Sequence, residues 1–174
     1  DSPTVVKDWI PTGSRWLDSI ICKGKMAGIP VGKVTEIAGL SASGKSFMAT
    51  QIAVNAQKKG FTVIYFDAES SIDPRIFSKA FPKLTIPIAN SQSAIVLINQ
   101  LKVNITSNIA EAMTTPVIAP GGKAIEYFCS LRIWLTRRKS KASFVENNKG
   151  FRIGSETKAK IEKSRFGTYG RTCT

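Results

Sequence analysis

Gly39, Gly44, Lys45 and Ser46 stand in the order G-x-x-x-x-G-K-S, and this stretch restricts the fold more than any other part of the chain. Such a loop works only between a strand and a helix. Its glycines let successive backbone N–H groups turn inward around a phosphate, and the helix N-terminus adds partial positive charge. The flanks comply. Val34 to Ala38 is apolar enough for a short buried strand, and Lys45 to Lys59 predicts a helix with Met48, Ala49, Ile52, Ala53 and Ala56 on one face and Gly60 as its stop. Thr62 to Phe66 reads as a second apolar strand ending at Asp67, and Ala94 to Ile98 as a third, ending at Asn99 and Gln100. Strand, helix and strand in this order predict a parallel βαβ unit and an α/β fold.

The loop residues Gly39, Leu40, Ser41, Ala42, Ser43, Gly44, Lys45 and Ser46 are the expected phosphate cradle. Lys45 reaches the β- and γ-phosphates, and Ser46 ligates the metal, so the expected cofactors are ATP and Mg²⁺. Hydrolysis also needs a group that orients water. Ligands of open α/β sheets bind at the carboxyl ends of the strands, which puts Glu69, just beyond Asp67, near the γ-phosphate. Spacing alone does not separate that role from two solvated carboxylates capping a strand.

The balance of 25 Lys plus Arg against 12 Asp plus Glu gives +13 and points to a polyanionic partner. Most of the excess follows residue 101, with Arg137, Arg138 and Lys139 together and Lys158, Lys160, Lys163 and Arg165 close by. A hydrophobic fraction of 43% excludes a disordered chain. No run of eighteen apolar residues suggests a membrane span, and the N-terminal residues lack the basic-then-apolar pattern of a leader. The three cysteines have no metal spacing and read as reduced thiols, so a cytoplasmic location is expected.

Residues 101 to 122 read as a long polar loop containing Pro116, Pro120, Gly121 and Gly122, and long loops inside compact domains are usually functional. Lys123 to Cys129 is a candidate short helix. Leu131 to Thr136 and Thr157 to Glu162 alternate in polarity and are expected to pair as an antiparallel hairpin around a polar connection at 139–150.

An ordered series of further stretches resembles RecA-type DNA strand-exchange recombinases: Ile10 to Ser14, Leu17–Asp18, Gly28 to Ile37, Phe66 to Glu69 with Asp73–Pro74, Ile98 to Gln100, Gly121 to Ala124, Gly154 to Thr157 and Glu162 to Arg165. The wording Glu162–Lys163–Ser164–Arg165 is similar to the phage UvsX branch. The resemblance covers nearly the whole chain and implies a single RecA-like ATPase core over 1–174, with a mostly parallel central sheet flanked by helices. It implies that Glu69 is the catalytic base, that Asp73 lies near the adenine, and that Gln100 senses the γ-phosphate. It further implies that Lys163 and Arg165 reach the ATP of a neighbouring subunit, and that Gly121 and Gly122 let the backbone approach DNA, with Lys102 and Lys123 flanking that loop.

The implied activity is ATP-dependent recombination and repair. Subunits would self-associate as a helical filament or ring on single-stranded DNA and pair it with a homologous duplex, in the host cytoplasm if the chain is phage-encoded. One departure stands out. Between Asp73–Pro74 and Ile98 the family has a further helix, a Walker B strand ending in Asp, and a first DNA-binding loop. Here the stretch around 77–82 is a seam where several tens of residues are absent: either the sequence shown omits an internal stretch of the protein, or the deletion is real and the core is incomplete. A loss of that strand makes a nucleotide-gated DNA-binding or filament module without turnover the alternative reading, because the metal would lose an outer anchor.

Overall fold

The computed structural model of the protein describes residues 5–23, 27–65, 74–138 and 140–174. In chain order the elements are β1 (Trp9–Ile10), α1 (Arg15–Ile21), β2 (Ile29–Pro30), β3 (Val34–Gly39), α2 (Lys45–Lys58), α3 (Pro74–Asn90), β4 (Ile95–Gln100), β5 (Lys102–Val103), α4 (Ile109–Thr114), β6 (Val117–Ile118), α5 (Gly122–Phe128), β7 (Leu131–Arg137), β8 (Phe144–Glu146), β9 (Arg152–Ser155), β10 (Thr157–Ser164) and β11 (Thr172–Cys173). The central sheet has the order β11-β10-β7-β3-β4. β4, β3 and β7 run parallel, whereas β10 is antiparallel to β7 and β11 to β10. This is the α/β fold that the sequence predicts, including the antiparallel C-terminal hairpin. Among the described residues no helix is long and apolar enough to cross a membrane.

Both faces of the sheet are covered, as a parallel sheet requires. On one face Leu17 and Ile21 of α1 and Ile52 and Ala56 of α2 pack against Ile37, Leu131, Ile133, Leu135, Ala159 and Ile161. On the other, Ile88 of α3 and Ile125 and Cys129 at α5 pack against Val34, with Ile95 and Leu97 partly buried beside them. The alternation of β3 explains the division: successive side chains point to opposite faces, so Val34 and Ile37 serve different layers.

Two expectations are revised, and the stretch at the seam is helical. Of the predicted second strand, Thr62 to Phe66, residues 62–65 are described; with Phe61 they alternate only as far as Ile64, Phe61 and Val63 lying against the core and Ile64 and Tyr65 both exposed, and they form no ladder. Among the described residues β4 forms one edge of the sheet, and no described strand lies beyond it. The seam at 77–82 is spanned by α3, which contains Pro82 and Pro87. Each proline removes a backbone donor and costs the helix stability. Finally, residues 101–122 are an ordered excursion rather than a loop throughout. β5 and β6 pair antiparallel, and α4 between them is capped by Asn108, whose side chain accepts from Ala110 N at 3.1 Å and Glu111 N at 3.4 Å. Two-residue strands and a six-residue helix are too short for periodicity to reveal.

Candidate functional site

The glycine-rich stretch lies where its chemistry needs it, between β3 and α2. Gly44 is the N-cap of α2 with φ 92°, a left-handed conformation that disfavours any side chain, and no side chain caps the helix. Its first N–H groups are thus left for a ligand. Gly39 is needed for a different reason: a Cβ there would fall 2.6 Å from Leu135 O and 2.3 Å from Ser43 Oγ. Lys45 Nζ donates to Leu40 O at 2.8 Å, folding the ammonium back over the loop. Burial of that amine pushes the Lys45 pKa below its usual value. Ser43 is buried, and its Oγ has no hydrogen-bond partner. Leu40, Ser41, Ala42 and Ser46 are exposed around it. An uncapped helix start, an unpartnered hydroxyl and a lysine held at the loop form a donor set suited to phosphate.

Gln100 comes to the same place. It ends β4 opposite Gly39 in the parallel register, and Leu101 N donates to Gly39 O at 3.0 Å. Asn99, one residue earlier, donates through Nδ2 to Glu36 Oε1 at 2.8 Å and to Pro120 O at 2.7 Å. Pro120 precedes Gly121 and Gly122, the positive-φ pair that opens α5. A Cβ on Gly121 would fall 2.2 Å from Ile125 Cδ1, so this turn closes tightly over its own helix. Glu36 in turn accepts from Arg132 Nε at 2.5 Å, and both side chains are almost fully buried.

The chain Arg132–Glu36–Asn99–Pro120 therefore crosses three adjacent strands and ends at the predicted DNA-binding turn. Sequence reasoning assigned none of these four residues a role. The signal was present: a glutamate inside Val34–Ala38 and an arginine inside Leu131–Thr136 are charges in segments expected to be buried, and buried charges are paired.

Lys102 and Lys123 are exposed, on β5 and α5. The polar side chains of 104–115 are largely engaged among themselves. Asn104 donates to Thr115 O at 3.0 Å, Thr106 to Glu111 Oε2 at 3.2 Å, and Thr114 to Ala110 O at 2.9 Å. The surface of the excursion is instead apolar, with Ile105, Ile109 and Met113 strongly exposed.

Lys163 and Arg165 both turn to the C-terminal end of α5, where cations suit the helix dipole. Lys163 Nζ donates to Glu126 O and to Tyr127 O, and Arg165 Nη2 donates to Tyr127 O at 3.0 Å. Burial, then the neighbouring Arg165, lowers the Lys163 pKa. Lys123, Glu126, Tyr127, Glu162, Lys163 and Tyr169 line an open groove here. Glu69 and Asp73 lie outside the described residues, as does Asp67.

A sequence model of the RecA N-terminal domain matches the chain in two segments, residues 2–77 and 74–173. The chain belongs to the RecA N-terminal domain family. Among similar proteins, Protein RecA of Chlamydia felis is 26% identical over 230 residues, covering 94% of this chain and 63% of the relative. Protein RecA of Chlamydia abortus is 26% identical over 224 residues, covering 90% and 61%. That of Chlamydia trachomatis serovar D is 25% identical over 230 residues, covering 94% and 62%. The aligned region thus takes up less than two thirds of each relative. It runs over 230 residues where this chain has 174, and the two segments matched by the RecA N-terminal domain meet at 74–77, inside α3.

Proposed function

We propose that this chain is the nucleotide-binding core of an ATP-dependent DNA recombination and repair protein, a DNA-dependent ATPase. Its subunits assemble as filaments on single-stranded DNA and promote pairing and strand exchange with a homologous duplex. The observation that carries this reading is the junction of two sites on β4. Gln100 abuts Gly39 of the glycine-rich loop, and its neighbour Asn99 is bonded to Pro120 at the DNA-binding turn. A change at the γ-phosphate would be passed along one strand to the DNA segment. ATP would occupy Gly39 to Ser46, with Ser46 on Mg²⁺, Asp73 near the adenine, and Glu69 as the base that activates water. The sequence 162–165 supports a phage UvsX-like branch, and the activity suits the cytoplasm. The chain forms one core, short of an internal stretch at the junction of its two matched segments.

Glu69→Gln keeps the shape of the side chain and removes the base. ATP binding is expected to persist while DNA-stimulated hydrolysis falls by about 100-fold. Hydrolysis as fast as in the parent would reject Glu69 as the base.

DNA contact is assigned to Lys102, Lys123 and the Gly121–Gly122 amides. Phosphate contacts position a strand without reading its sequence, so ATP-dependent binding should be sequence-independent. Lys102→Ala with Lys123→Ala is expected to flatten the salt dependence of single-strand binding by roughly one to two units, at about 0.7 per phosphate. Lys163→Ala with Arg165→Ala should act differently. In the free subunit these cations hold the end of α5; in the filament they turn to the neighbour's ATP. Their loss should remove the ATP-induced tightening and leave weak nucleotide-independent binding. Fluorescence-anisotropy salt titrations, with and without a non-hydrolysable ATP analogue, separate the two pairs. Equal weakening by both, whatever the nucleotide, would end the cross-subunit assignment.

A further inference from the structure

The outer edge of β4 has the sequence of an interior strand. Ile95, Val96, Leu97 and Ile98 form an unbroken apolar run, the signature of a parallel strand buried on both faces and paired on both sides. Edge strands of native sheets are ordinarily blunted by charges, proline or bulges. β4 has none of these: it carries no Lys, Arg, Asp, Glu or Pro, and its register with β3 is unbroken. Ile95, Val96 and Leu97 are only half-buried, and Ile98 is 40% exposed.

The direction of its free groups follows from the ladder. Ile95 N donates to Lys33 O and Leu101 N to Gly39 O, so by the two-residue period Leu97 and Asn99 also face β3. The N–H groups of Val96, Ile98 and Gln100 face outward. A second strand-like run, residues 61–65, lies without a ladder and with Ile64 and Tyr65 exposed. In sequence, the junction of the two matched segments falls between these two runs. The alignment with the Chlamydia felis relative runs over 230 residues, more than the 174 of this chain.

We propose that the free edge of β4 accepts one added parallel strand, and that this strand comes from a separate polypeptide of the same family carrying the stretch this chain lacks. The position of the junction favours this occupant, because a stretch bounded by residues 61–65 and β4 supplies the strand that both runs are without. The chain's own 61–65 are held elsewhere by Phe61 and Val63 packing on the α1/α2 layer and by Phe61 N donating to Ala56 O. Among its described residues a second copy would bring the same two unpaired runs and no additional strand. The proposal rests on family membership and on the sheet edge, not on ATP or DNA binding.

The test mixes the full chain, without nucleotide or DNA, with a polypeptide comprising the stretch of the Chlamydia felis relative that has no counterpart here. Sedimentation is expected to show a one-to-one complex. Amide exchange is expected to slow by at least tenfold at Val96, Ile98 and Gln100, while Ile95, Leu97 and Asn99, already bonded to β3, change little. Ile98→Pro removes an outward donor and leaves the β3 ladder intact, a position where edge strands tolerate proline. It should weaken the complex by tenfold or more. Should that variant misfold, the alternating exchange pattern in the parent chain still decides. Absence of a complex would overturn the proposal. So would equal binding by a folded Ile98→Pro variant, protection without the alternation, or a homodimer that buries β4 before the polypeptide is added.

Discussion

Arg132→Ala is expected to destabilise the fold by about 3–5 kcal/mol, the scale seen when one partner of a buried ion pair is removed. Glu36 is fully buried, and its two oxygens have two partners, Arg132 Nε and Asn99 Nδ2. Without the guanidinium a carboxylate remains at the centre of the sheet with one amide donor. Water cannot reach it, because α3 and α5 cover that face. The loss arises from the stranded charge and not from the strength of the pair, since the desolvation of both ions offsets much of their attraction. Glu36→Gln combined with Arg132→Met should therefore recover much of the stability lost in Arg132→Ala. Chemical denaturation of the two variants measures this directly. A loss below about 1 kcal/mol, the range of exposed pairs, would mean that the network is solvated.

The same network shows how the sequence and the fold inform one another. The glycine-rich loop was legible because its chemistry fixes residue types at fixed spacing, and β3 and α2 fall where those residues require. The C-terminal hairpin was legible because β7 and β10 alternate over enough residues to show a two-residue period. The excursion at 102–118 was not, because its order comes from Asn108, Thr106 and Glu111 bonding one another across a few residues, which composition reads as polar loop. Nor was the failure of 61–65 to form a strand visible locally, since Phe61 to Tyr65 is as apolar as a buried strand. A strand is a property of a pair, and among the described residues no partner strand lies beyond β4. The roles of Lys163 and Arg165 lie between these cases. Their proximity to one another is read from their two-residue spacing at the end of β10, with Lys163 in the strand and Arg165 just past it, but their attachment to the end of α5 depends on how that helix packs.

Lys45→Ala is expected to weaken ATP binding by roughly 2–4 kcal/mol, or about 30- to 1,000-fold, through loss of a charge-assisted contact to the terminal phosphates. The geometry makes the effect specific. Lys45 Nζ rests on Leu40 O, so the amine is already placed at the loop and needs only to exchange a carbonyl for a phosphate oxygen. The helix N-terminus and loop amides remain in the variant, which is why binding should weaken and not vanish. Calorimetry should show the loss falling mainly on ATP, with ADP affected less, because the γ-phosphate contact is the one removed. A pH dependence accompanies it. Burial already lowers the Lys45 pKa, so the free protein loses this positive charge earlier than an exposed lysine as pH rises. Bound phosphate favours the charged form and raises the pKa again, so binding takes up a proton in the alkaline range. ATP affinity of the parent chain should therefore decline with rising pH sooner than an ordinary lysine would dictate, and Lys45→Ala should lack this component. Unchanged ATP affinity in the variant, or the same alkaline decline in both, would remove Lys45 from the phosphate site and with it the nucleotide assignment of the loop.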